Sequence, residues 1–154
     1  MAGLTTALVA QFKADLFLAR HDFTNGGGHA FKLSLFKANA SITGTYDKTT
    51  TTYSTTDELA TGGGYTAGGN ACTNAGTGTD TTSTNNIGYS GFSGSVSWPS
   101  ATFTTRGCSA YNTNGASNRT VFIYDFGADQ TVSSGTFTVN FPSFAAATAI
   151  IRIT

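Results

Sequence analysis

Two periodicities divide the chain. Leu4, Leu8, Phe12 and Leu16 recur at every fourth position, with Val9 and Ala19 alongside and Lys13 and Arg20 on other sides. That is one apolar face of an amphipathic helix, and Thr5 or Thr6 is a residue type that caps one. The spacing predicts a helix over residues 5–20, ended near His21-Asp22 and closed by the Gly26-Gly27-Gly28 run. From His29 the period becomes two. Phe31, Leu33 and Leu35 alternate with Lys32, Ser34 and Phe36, the pattern of a strand with one buried face.

Beyond this strand, residues 38–56 are Thr-rich, with Tyr46 and Tyr53 their only aromatic side chains. Residues 55–60 suit one short helical turn before the glycines at 62–64 and 68–69. Residues 70–86 carry almost no apolar side chains and read as a long polar loop or a weak edge hairpin. Strands are predicted at 87–98, 101–112, 119–126, 135–142 and 148–153, where Phe122/Tyr124/Phe126, Phe137/Val139/Phe141 and Ile151/Ile153 alternate cleanly. Asn112-Thr113-Asn114-Gly115, Gly127-Ala128-Asp129 and Pro142 are the turn signals between them. Short strands about a dozen residues apart point to a sandwich or jelly roll. The expected fold is therefore mainly β: one domain over 1–154, with an N-terminal helix and a β-sandwich body over 29–153. No internal repeat suggests a solenoid or propeller.

Composition supports the β reading. Thr is roughly a fifth of the chain and Gly contributes 19 residues, favouring strands and turns respectively. Aromatic content of 12% argues against disorder. Charged residues make up only 10%, against an average of about 25%, and the formal net charge is zero. Such a chain has no electrostatic reason to seek nucleic acid or an anionic membrane, and little charge to oppose association. Lys13, Arg20, Lys32 and Lys37 fall in the first 37 positions, while residues 49–105 hold Asp57, Glu58 and Asp80 and no basic residue. This mild polarity suits either a solvated surface or complementary subunit faces. No stretch is long enough to span a membrane, and no apolar leader follows Met1, so Cys72 and Cys108 are expected as free thiols.

Residues that could carry chemistry are scattered. His21 and His29 flank the glycine run without the three or four tightly spaced ligands a metal needs. Gly91-Phe92-Ser93-Gly94-Ser95 misses the nucleophile-elbow pattern at its last position, and Cys108 lies in an alternating strand. Asp57-Glu58 resemble a helix start, and nothing pairs Asp125 with Asp129. The glycines at 62–64 and 68–69 lack the Lys-Ser/Thr of a phosphate loop and suit a tight turn or close backbone approach. The expectation is a non-enzymatic protein with no metal and no cofactor.

The stretches "FKADLFLARHDF", "FKLSLF", "YSTTDELATGGGYTAGG", the lone Trp98, "TTRGCSAYN", "DFG" and "GTFTVNFP…IIRI" resemble, in order, a family of small virion proteins of tailed bacteriophages. The polar stretch around 70–86 departs from that pattern. The resemblance implies a β-sandwich head protein, most often a decoration (cement) subunit that binds the assembled capsid lattice. Its partners would be the major capsid protein and other virion subunits. It would form a homo-oligomer, a trimer favoured, in a virion assembled in the bacterial host cytoplasm. Docking would use the N-terminal helix and the polar loops, with Lys13, Arg20 and His21 as rim contacts. The ridge of Leu8, Phe12 and Leu16 would be either docking face or core. The alternatives are a tail, collar or fibre component, and a carbohydrate-binding β-sandwich in which Tyr65, Tyr89 or Trp98 stacks on sugar.

Overall fold

A computed structural model describes residues 2–82, 86–115 and 117–154. Among the described residues the chain is mainly β, with one short α-helix and a nearly closed antiparallel sheet that forms a single sandwich- or barrel-like domain. In chain order the elements are β1 (Gly3–Leu4), β2 (Ala7–Leu8), α1 (Ala10–Phe17), β3 (Phe31–Leu35), β4 (Thr45–Tyr46), β5 (Asn70–Asp80), β6 (Ile87–Ser93), β7 (Ser95–Asn112), β8 (Thr120–Asn140) and β9 (Ile151–Ile153). Seven strands lie in the order β2-β8-β7-β3-β5-β6-β9, every neighbouring pair antiparallel, while β1 pairs in parallel with β4.

The helix is half the expected length. Residues before Ala10 are taken as strand: Ala7 and Leu8 pair with Ile123 and Phe122, and Val9 N–H reaches Val121 O. A four-residue apolar repeat fits a helix in isolation, but pairing to an existing sheet edge satisfies the same backbone groups and buries the same side chains. Only Phe12 and Leu16 of the ridge remain on α1. Its end is a turn in which Leu18 and Arg20 N–H both bond Asp15 O, with Ala19 at φ 52.

The stretch expected as a loop over 70–86 is instead largely β5, an interior strand between β3 and β6; residues 83–85 lie outside the described residues. Its apolar content is low because hydrogen bonds and glycines, not large side chains, seat it. Asn74 Nδ2 donates to His29 O (2.9 Å), Asn70 Nδ2 donates to Ser97 O (2.8 Å), and Ser90 Oγ donates to Gly76 O (2.8 Å). Gly78 pairs with Tyr89, and a Cβ at 78 would stand 2.4 Å from the Tyr89 ring, so the glycine gives the aromatic ring its bed.

The expected strands at 101–112 and at 119–126 plus 135–142 are parts of two long ones, β7 of 18 residues and β8 of 21. Asn112 to Gly115 begins the connection between them, as its turn signal predicts, and Asn140 ends β8 just before Pro142. Gly127-Ala128-Asp129 is not a turn between strands. It is an irregularity inside β8, where register passes from Gly107↔Asp125 to Thr105↔Gln130, with Gly127 at φ 82 and its N–H on Asp125 Oδ1. The long ribbon folds over the rest of the sheet. Phe23 stacks on Phe31 (4.6 Å), Phe92 meets Phe31 and Phe141, and Trp98 packs on Tyr65 and Phe137.

Candidate functional site

Asp15 lies on the same face of α1 as Phe12, so the helix carries its carboxylate inside, where it is fully buried. A buried carboxylate is tolerated only with charge and hydrogen-bond partners. Arg119 Nη1 supplies both at 2.9 and 3.3 Å, and Gln11 Nε2 donates at 2.9 Å. Arg20 Nη1 stands at 3.7 Å and His21 Nε2 at 3.6 Å.

Behind this pair, the Asn112 side chain ties three segments together. Its Nδ2 faces Arg20 O (3.1 Å), His21 Nδ1 (3.1 Å) and His29 Nδ1 (2.9 Å), while its Oδ1 accepts from Asn114 N–H. An amide nitrogen only donates and has two protons for these three acceptors; the shortest contact, His29 Nδ1, takes one, so His29 carries its own proton on Nε2. Burial lowers the His21 pKa from its ordinary 6.5, and the Asp15 carboxylate offsets that only in part. Arg20, His29, Asn114 and Arg119 line an open depression of about 460 Å³.

Of the expected rim contacts, Lys13 and Arg20 are exposed and His21 is buried, and of the ridge Phe12 is core. Leu8 is half-buried on β2 and lines an apolar depression of about 320 Å³ with Phe122, Val139, Phe141 and Ile150. The apolar groups that the helix does present to solvent are Phe17, 92% exposed, and Leu18, 59% exposed. The four-residue ridge hides both, because it marks a different face of the helix. The adjacent pair Phe17-Leu18 after Leu16 was the available signal, since three consecutive apolar residues cannot all face one way on a helix.

The segment from Tyr53 to Gly69 locks itself. The buried Glu58 accepts hydrogen bonds from Tyr53 Oη, from Tyr65 Oη (2.6 Å) and from Gly68 N–H (2.6 Å). Its neighbour Asp57 accepts from Gly44 N–H (2.7 Å), Thr43 N–H (3.1 Å) and Tyr46 Oη (3.0 Å). Burial raises the Asp57 carboxyl, but these hydrogen bonds outweigh it and hold the group below its ordinary value. Desolvation, with Glu58 alongside, pushes the Tyr53 and Tyr65 hydroxyls well up and the Tyr111 hydroxyl to about 12. The two acids thus anchor a turn, not a helix start. The glycines serve close approach: a Cβ would stand 2.3 Å from Thr102 O at Gly63 and 1.9 Å from Leu33 O at Gly69.

Other candidate chemistry is absorbed by packing. Ser93 ends β6 beside the buried Phe92, and burial pushes the Cys108 thiol well up. Tyr65 and Trp98 are buried and Tyr89 packs on Phe144, so two of the three rings that a sugar would stack on are out of reach. Among the described residues no group of three metal-ligating side chains forms, and no helix is long and apolar enough to cross a membrane. Comparison with protein-family models, curated proteins and solved structures finds no match to this chain.

Proposed function

We propose that this chain is a structural subunit of a tailed-phage particle, and within it a decoration subunit that binds the assembled capsid lattice. The observation that carries the reading is the Phe17–Leu18 pair, held out to solvent at the end of a helix whose inner face is pinned through Asp15. Exposing a whole phenylalanine ring beside a leucine has no benefit to an isolated chain, and apolar groups presented on a rigid element are what a protein interface uses as anchors. The order of motifs resembling small phage virion proteins supports the same reading, as does a net charge of zero.

A lattice binder needs no reactive group. It recognises the assembled shell and not its free subunits, so each bound copy shifts the equilibrium toward the shell by mass action. Contacts with several subunits at once, multiplied in a homo-oligomer such as a trimer, make weak individual interfaces effective. The test is co-sedimentation of the purified chain with capsid shells that lack it. Wild type is expected in the pellet and Phe17→Ser/Leu18→Ser in the supernatant, with both proteins equally stable. Equal pelleting of the two would overturn the assignment of the docking face, and no pelleting of wild type would overturn the function.

A further inference from the structure

We infer that the depression between Arg20, His29, Asn114 and Arg119 is a binding site for the side-chain carboxylate of an aspartate or glutamate on a partner polypeptide. The charge balance points there first. Two guanidiniums share one buried carboxylate, Asp15, which leaves one positive charge uncompensated at the mouth of the depression. Asp22, whose charge reaches His29, is turned onto Thr24 N–H (2.9 Å) and lines a different depression, so it does not compensate the two guanidiniums. A single surplus charge matches a monoanion, and a planar carboxylate fits the guanidinium fork in a way a phosphate dianion would leave undercompensated.

Donor geometry agrees. Arg119 uses Nη1 on Asp15, which leaves the rest of its fork for a ligand. Arg20 is exposed and 3.7 Å from Asp15, close enough to be oriented and too far to be engaged by a hydrogen bond. His29 accepts through Nδ1 from Asn112, so its Nε2–H is the group free to donate. Three donors on separate segments are therefore set in advance by Asp15 and Asn112, which lowers the ordering cost of binding. The site is a property of the isolated chain and does not depend on the particle role.

The experiment is a nitrogen-detected NMR titration of the intact chain, following the arginine side-chain and histidine ring signals. The probe is a capped Ala-Glu-Ala peptide, with capped Ala-Gln-Ala and inorganic phosphate at matched ionic strength as the other arms. The expected result is a saturable shift of the Arg20, Arg119 and His29 signals with the glutamate peptide alone. Arg20→Gln should weaken it by about tenfold, the worth of one charge-assisted hydrogen bond. This variant leaves the Asp15–Arg119 pair in place, so its melting temperature should match wild type. Absence of a saturable shift overturns the site. So does equal binding of the glutamine peptide, tighter binding of phosphate at the same signals, or undiminished binding by Arg20→Gln.

Discussion

Asp15 on α1 and Arg119 at the entrance to β8 meet at 2.9 Å across 104 positions of sequence. Their pairing fastens the helix to the long β7–β8 ribbon at one point and orients the arginines that line the depression beside it. Arg119→Ala leaves the fully buried carboxylate with Gln11 as its only close donor and Arg20 at 3.7 Å, so it should destabilise the chain by about 3 kcal/mol. Urea denaturation would measure this, and Asp15→Asn in the same background should return part of the loss.

The same corner makes stability depend on pH. Burial holds His21 below 6.5 in the folded chain, so the unfolded chain takes up the proton first as pH falls. The contribution of the neutral ring is complete above about pH 6.5 and drains away through the folded value below it. Protonation would also place an N–H against the Asn112 amide, which has no lone pair to receive it. Asp57 adds a second, more acidic step: its contribution is present above 3.8 and lost as pH falls through its depressed folded value. Urea midpoints between pH 8 and 5 should therefore decline for wild type, and His21→Gln should flatten that decline.

Glycine replacements should separate by what surrounds them. Gly69 sits at φ +70 with Leu33 O in the position its Cβ would need, so Gly69→Ala should cost about 3 kcal/mol or more. Gly88 has nothing within 4 Å, and Gly88→Ala should change stability by less than about 0.5 kcal/mol. Thermal melts of the two variants test the contrast.

Cys72 and Cys108 are free thiols, the state expected from the sequence. Burial pushes the Cys72 thiol up to about 12 and Cys108 further, so neither forms thiolate at neutral pH. A thiol reagent should label neither in the native chain and both in urea, and a reductant should leave the melting temperature unchanged. Labelling of Cys72 at a rate typical of an exposed thiol would contradict the packing around β5.

Much of the β architecture was legible because large apolar side chains alternate where strands β3, β7 and β8 bury them. The places where the sequence misleads share one cause: a backbone group satisfied by a distant partner. Leu4 and Leu8 keep helical spacing yet serve as strand, because Tyr46 and Phe122 lie ready to pair with them. β5 shows no apolar period because Asn70, Asn74 and Gly78 hold it through hydrogen bonds and a glycine bed. Gly127 looks like a chain reversal and is an irregularity within β8, beside which Arg106 and Asp125 pair across the two strands at 2.7 Å. At the site, Arg20 was legible as a charge beside a predicted helix end. Its neighbour Asp15 was not, because helical spacing alone does not show that a carboxylate five positions away turns inward, and Asn112 and Arg119 were not, because nothing local relates positions so far apart.

The particle role is tested most directly by the copy number of this chain in purified phage, measured by quantitative mass spectrometry against the major capsid protein. A ratio near one to one, or a simple fraction set by the lattice, is the predicted result. A handful of copies would move the chain to the tail or neck, and absence from the particle would contradict the account altogether.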